Sequence, residues 1–309
     1  MKILNFAHKE IKMNTKPGLR FALFGSDYQG REVSSVRQVL DSLAAHDSAV
    51  FVDRPYYDYV TKVLQLSFRP EGIFEGCDFE ADFALSIGGD GTFLKVASRV
   101  GSKGMPIIGV KTGRLGFLAD VLPDDIDETL DALCNGDYQT EEHAVIELEA
   151  DGESLGTWPY ALNDIAVLKR DSASMITIDA AINGEHLVTY QADGLIVSTP
   201  TGSTAYSLSN GGPVIVPQTD VLCLTPVAPH SLTIRPVVIS GDSVVTLTVE
   251  SRSHSFLAAI DGRSVRLEEG TRLTVRRAPF GIAFVKRGEQ SYFSTLREKM
   301  MWGVDARKK

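Results

Sequence analysis

Cysteine is scarce here: Cys77, Cys134 and Cys223 are the three, and no two form a Cys-x-x-Cys pair. That usage supports neither a disulfide framework nor a zinc site. Long apolar runs are missing as well, with nothing approaching the ~18 residues of a membrane span. The opening MKILNFAHKEIKMNTK breaks its apolar residues with Asn5, His8, Lys9 and Glu10, so it lacks a signal-peptide centre. These absences predict a cytoplasmic protein with a partly mobile tail over residues 1–18. There is no basic excess either. Lys and Arg total 31 against 40 Asp and Glu, a formal charge of −9 that argues against nucleic-acid or membrane partners. An anionic ligand must then be met locally, by a few basic side chains, backbone N–H groups or a metal ion. Two nucleotide signatures are also lacking. No Gly-x-Gly-x-x-Gly follows the first expected strand. Gly25-x-x-x-x-Gly30 has P-loop spacing, but Arg31-Glu32 stands where Lys-Ser/Thr would contact phosphate and Mg²⁺.

What is present reads as two halves. A chain of 309 residues, 43% hydrophobic and 23% charged, suits a globular protein of two domains. Over residues 19–140 strand-like runs (Leu19–Phe24, Ala49–Val52, Phe83–Ile87, Pro106–Val110) alternate with helix-like stripes. The stripes are Val33, Val36, Val39, Leu40 and Leu43; then Tyr56, Tyr59, Val60, Val63 and Leu64; then Thr92–Val100. Ile126, Leu130 and Leu133 form the last, stopped by Asn135-Gly136. This predicts an α/β domain with a Rossmann-like parallel sheet. Over residues 141–285 the period changes to two, with turn signals at Asp151-Gly152, Asn183-Gly184 and Asp261-Gly262. That half is expected to be an all-β, sandwich-like domain. Residues 286–309 show no alternation and are expected to pack back on the first domain.

Three stretches carry chemistry. In Leu85-Ser86-Ile87-Gly88-Gly89-Asp90-Gly91-Thr92 an apolar strand runs into glycines and then a helix. Glycines let N–H groups approach a bulky anion, and a helix N-terminus favours negative charge. A carboxylate in that setting repels phosphate unless Asp90 accepts a proton from an attacking hydroxyl or holds a metal between phosphates. The alternative is a glycine turn with an Asx-type helix cap. The second stretch runs from Tyr190 to Pro213 and is dense in hydroxyls and glycines, with Pro200, Tyr206 and Pro213 to stiffen it. It reads as a nucleotide or sugar pocket rather than a flexible loop. The third, Leu162-Asn163-Asp164-Ile165, can present an amide and a carboxylate to a base or ribose, or be a plain bulge. His230, beside Pro229 in an apolar setting, reads as a satisfied structural histidine.

Together these stretches resemble the NAD kinase family, over nearly the whole chain from about Leu19. The matching segments are Gly88–Thr92, Gly113-Arg114-Leu115-Gly116-Phe117-Leu118, Leu162-Asn163-Asp164, Asp193–Pro213, Pro229–Leu232 and Asp261-Gly262. Gly-Gly-Asp-Gly is shared with diacylglycerol-type lipid kinases and phosphofructokinases. Thr199-Pro200-Thr201-Gly202-Ser203-Thr204-Ala205-Tyr206 is far more specific. The resemblance implies a kinase that moves the terminal phosphate of ATP, or another nucleoside triphosphate, onto the adenosine-ribose 2′-hydroxyl of NAD. It implies an active site where two domains meet, Mg²⁺ or Mn²⁺, and a homodimer or homotetramer. Asp90 is then the catalytic residue. Gly88, Gly89 and Thr92 handle phosphate, while Gly91, Lys95, Asn163, Asp164, Gln191, Asp193, Thr204, Ala205, Tyr206, Ser207, Leu208 and Ser209 line the dinucleotide site. Lys111 and Arg263 stand where asparagine and glutamine are commoner, and both add positive charge near the phosphates. No residue is assigned as a metal ligand. Two alternatives remain: a lipid or sphingoid-base kinase sharing the glycine-aspartate loop, and a non-catalytic dinucleotide sensor.

Overall fold

The apolar run after Leu19 forms β1 (Arg20–Gly25), whose Phe21, Ala22 and Leu23 have no exposed surface. The computed structural model to which it belongs describes residues 18–26, 33–112, 116–156, 158–170, 174–286, 292–301 and 303. Residues 1–17 of the tail expected over 1–18, Gly30-Arg31-Glu32, Gly113-Arg114-Leu115 and Trp302 lie outside the described residues. The chain divides into two compact units. One holds Met1–Arg99, Met105–Glu141 and Ala283–Lys309, the other Val100–Gly104 and Glu142–Ile282.

In the first unit β1 pairs in parallel with β2 (Ala49–Asp53) on one side and β4 (Phe83–Gly88) on the other. β3 (Gly72–Phe74) extends the sheet beyond β2, and β5 (Ile107–Lys111) extends it beyond β4. Strands buried along their whole length need helices over both faces. Val36, Val39, Leu40 and Leu43 fall on one side of α1 (Val33–Ala45) and are buried. Ile126, Leu130 and Leu133 do the same in α4 (Ile126–Asn135), which ends at Gly136 in the left-handed region. α3 (Asp90–Val100) follows β4 directly, and α6 (Tyr292–Met300) buries Leu296.

The stripe from Tyr56 to Leu64 is not one α-helix. α2 (Arg54–Asp58) lasts five residues and gives way to a π turn over Tyr59–Val63, closed by Leu64 N–H donating to Tyr59 C=O at 3.0 Å. The wider turn still buries Tyr56, Tyr59 and Val60, the residues that made the stripe.

The second unit is all β. One sheet has the order β13 (Val237–Ser240), β12 (Val221–Val227), β11 (Gly194–Ser198), β8 (Asp164–Lys169), β15 (Ser255–Ile260), β16 (Arg263–Glu268). The other runs β10 (Glu185–Ala192), β9 (Ile176–Ile182), β14 (Val245–Glu250), β17 (Arg272–Lys286), with β6 (Gln139–Ala150) beside β17 and β7 (Tyr160–Ala161) on β6. Inward residues of both sheets, among them Ile165, Leu195, Phe256, Ile178, Leu247 and Val275, form one apolar cluster. Burial alternates along β14, the pattern of a strand with one face on a core. Asn183 and Gly184 turn between β9 and β10 with φ of 52° and 83°, the two left-handed residues of a tight hairpin. β6 and β17 each run from one unit into the other.

Candidate active site

At the carboxyl end of β4 the chain turns through Gly88 and Gly89 into α3. Ligands of parallel α/β sheets bind at this edge. The N–H groups opening a helix have no carbonyl of their own to bond. Asp90 begins the helix, but its carboxylate is committed elsewhere. Oδ2 accepts the N–H of Phe117 at 2.6 Å, and Oδ1 accepts those of Leu118 at 2.9 Å and Ala119 at 3.3 Å. The Asx-type cap is therefore not what Asp90 provides; it ties the segment after β5 to the start of α3. A carboxylate offers about four acceptor positions, so among the described residues one on Oδ2 is left for an incoming hydroxyl. Gly91 is exposed and Thr92 half-buried, while Lys95 is exposed one turn further along α3.

In the second unit Asn163 and Asp164 enter β8 buried. Asp261 holds them, accepting the N–H groups of Leu162 (2.8 Å), Asn163 (2.8 Å) and Asp164 (3.2 Å). Burial, and then the charge of Asp261, push the Asp164 carboxyl up to about 7. Burial also raises Asp261, against the pull of the three N–H groups and Arg263. The Asn163 Oδ1 is buried and without a hydrogen-bond partner among the described residues. Such an orphaned acceptor suits a ligand donor.

The Thr199–Ser209 segment uses most of its hydroxyls to bond the surrounding protein. Thr199 Oγ1 donates to Leu162 C=O at 2.6 Å, Ser203 Oγ to Pro200 C=O at 2.6 Å, and Ser207 Oγ shares a 2.8 Å bond with Thr225. Thr201 Oγ1 lies 2.7 Å from Nδ1 of the buried His143. A Cβ on Gly202 would stand 2.0 Å from Asn163 C=O, so glycine is what lets the segment lie against Asn163. The hydroxyl density read as binding capacity is thus largely scaffold. Thr204, Ala205 and Leu208 are half-buried; Tyr206 and Ser209 face solvent.

Other candidates sit apart or are occupied. Asp193 precedes β11, whose Gly194 pairs with Leu168 while Ser198, at the far end, pairs with Asp164. About five residue steps, roughly 17 Å, therefore separate Asp193 from the Asn163–Asp164 end. Its carboxylate bonds Lys169 at 2.7 Å. Gln191 is exposed, its C=O accepting the N–H of His230 at 2.8 Å. His230 is not a satisfied structural histidine in an apolar setting. Ala228, with φ of 44°, turns the chain outward after β12 and leaves His230 exposed. Arg263 donates to the carbonyls of Ile260 and Tyr160, both at 3.1 Å, and burial lowers its pKa. A groove of about 650 Å³ along α1, lined by Arg37, Gln38, Asp41 and Asp127, shares no residue with these segments.

Sequence reasoning missed Lys299, whose ammonium feels the charges of Asp90, Asp120, Lys111 and Lys286. It also missed Asp261 as the acceptor behind Asn163. No local motif marks such residues, because their partners are remote in the chain.

The ATP-NAD kinase N-terminal domain model matches residues 33–138, and the C-terminal domain model matches residues 162–287. The chain is 53% identical to the NAD kinase of Bacteroides fragilis over 289 residues, 94% of this chain and 100% of the relative. It is 38% identical to that of Porphyromonas gingivalis over 290 residues, 93% of this chain and 99% of that one. Among solved structures, the fold matches yeast NADH kinase complexed with NADH (TM-score 0.85, 22% identity, 95% and 91% of the two chains). It also matches an Archaeoglobus fulgidus NAD kinase in complex with ATP (TM-score 0.72, 25% identity, 92% and 99%). With the Gly-Gly-Asp-Gly turn and the Thr199–Tyr206 segment lying inside the matched regions, the chain belongs to the NAD kinase family.

Proposed function

We propose that the chain transfers the terminal phosphate of ATP to the adenosine-ribose 2′-hydroxyl of NAD, with Asp90 as general base. The observation that supports this role is the fixed carboxylate. Three backbone N–H groups orient it and leave one acceptor position on Oδ2 for the hydroxyl proton. The transfer needs little beyond alignment, charge neutralisation and proton removal. Gly88, Gly89 and Gly91 supply backbone N–H groups for the phosphates, and Thr92, whose own N–H donates to Gly89 C=O at 3.0 Å, adds its hydroxyl. Asn163, Asp164, Tyr206 and Ser209 bind the dinucleotide, with Lys95, Gln191, Asp193 and Arg263 assigned more peripheral contacts. The first unit handles phosphate and the second the dinucleotide.

The divalent cation arrives with the nucleotide. Among the described residues no three His, Cys, Asp or Glu side chains are grouped to hold a metal. Mg²⁺ is commonly held by substrate phosphates and water with one or two carboxylates, so MgATP or MnATP is the substrate form. No described helix is long and apolar enough to cross a membrane. A coupled assay of purified protein with NAD, ATP and Mg²⁺ tests the reading: NADP formation supports it. Phosphorylation of a sphingoid base or diacylglycerol instead would replace it with the lipid-kinase alternative. Binding of NAD without turnover would leave a sensor.

A further inference from the structure

The side chain of Lys299, on α6 of the first unit, lies within electrostatic reach of Asp90. Its Nζ is shut off from solvent and has no hydrogen-bond partner among the described residues. It lies 5.2 Å from the centre of the Phe117 ring, on the residue whose N–H Asp90 holds. Asp90 and Asp120 attract the ammonium, while Lys111 and Lys286 repel it. The three lysines gather at one edge. Lys111 ends β5 opposite Gly88, and Lys286 ends β17, whose Phe284 pairs in parallel with Ile107 of β5. Lys286 is partly engaged, 3.6 Å from Glu141.

A buried ammonium without acceptors is unfavourable, and nearby like charges make it more so. Burial accordingly pulls the Lys299 pKa down, against Asp90 and Asp120. With Glu141 on Lys286, the three lysines and the three carboxylates balance among the described residues, and what Lys299 Nζ lacks is an acceptor within hydrogen-bond distance. A polyphosphate supplies what is missing, several anionic acceptors in one group. We propose that Lys299 contacts the terminal phosphates of the nucleoside triphosphate and neutralises the group in transfer, with Lys111 and Lys286 supporting it. This rests on the phosphoryl-transfer reading above.

The test is Lys299→Met, which keeps the stem and removes the charge. Removing one preorganised donor from a transfer site costs about 10²–10³-fold in turnover. The expected result is a loss of about 100-fold or more in kcat/KM for MgATP. KM for NAD should stay close to wild type, and Lys299→Arg should restore part of the rate. Tm should hold or rise, because an unpartnered buried charge has been removed. Activity close to wild type in Lys299→Met overturns the proposal. So does an equal loss of NAD and MgATP affinity with a lowered Tm, which marks a structural role. Lys299→Gln is read the same way should the methionine variant not fold. Titration with inorganic tripolyphosphate needs no acceptor substrate. Weaker binding to Lys299→Met than to wild type supports the proposal even if wild type fails to phosphorylate NAD, and equal binding overturns it.

Discussion

A Cβ on Gly116 would stand 2.0 Å from Oδ1 of Asp90. The carboxylate reaches the N–H groups of Phe117, Leu118 and Ala119 because position 116 has no side chain. Gly116→Ala must therefore displace either the segment or Asp90. A misplacement of about 1 Å near reacting groups can cost about 10²-fold in rate. Steady-state kinetics should show turnover reduced on that scale with KM for NAD little changed; wild-type turnover would mean that the close approach does not matter for catalysis.

Asp90→Asn keeps the shape but cannot take a proton. Turnover should fall by about 10²–10⁴-fold, or roughly 3–5 kcal/mol in barrier height. The substitution is less innocent than size suggests. Three N–H groups converge on the carboxylate, so an amide nitrogen would face a donor across at least one contact, costing about 1–3 kcal/mol of stability. Circular dichroism should show a folded protein with a lower Tm. Near-normal turnover would remove Asp90 from the general-base role.

Asp164 gives a pH prediction. Its folded pKa of about 7 lies above the ordinary 3.8, so the native state holds the proton more tightly than the unfolded chain. Native stability then declines as pH rises from about 4 to 7, by up to about 4 kcal/mol, and is flat above. Asp164→Asn should relieve that penalty. Denaturation at pH 8 should show the variant gaining on wild type, with the gain shrinking toward pH 4. A constant difference across that range would contradict the assignment.

Tyr206 is 40% exposed in a segment of small residues. If its ring packs on the dinucleotide, Tyr206→Ala loses roughly 0.5–1.5 kcal/mol beyond area burial. KM for NAD should rise several-fold with a smaller change in kcat, and an unchanged KM would take Tyr206 out of the pocket.

Self-association is expected from the edges of the β unit. β13 and β16 border its six-stranded sheet, and Val238 on β13 is 48% exposed. Unpaired edges invite cover by a second copy. Light scattering at micromolar protein should report a dimer or tetramer; a monomer mass would refute this.

Much of this was legible in the residues. Val36, Val39, Leu40 and Leu43 announce α1 because a 3.6-residue period puts them on one face. Asn183-Gly184 announces its hairpin because both positions need left-handed backbone. The Gly88–Thr92 turn and the Thr199–Tyr206 segment are local motifs, and local chemistry can be read from neighbours in the chain. What Asp90 holds, what holds Asn163, and where Lys299 ends are relations between residues far apart in sequence. Thr199, Ser203 and Ser207 look like ligand donors in the sequence, yet their hydroxyls bond the fold itself. A hydroxyl's partner is decided by which backbone carbonyl packing brings within 3 Å, and composition carries no record of that. Tertiary structure alone set those distances, because burial forces each polar group to find a partner wherever the chain happens to return.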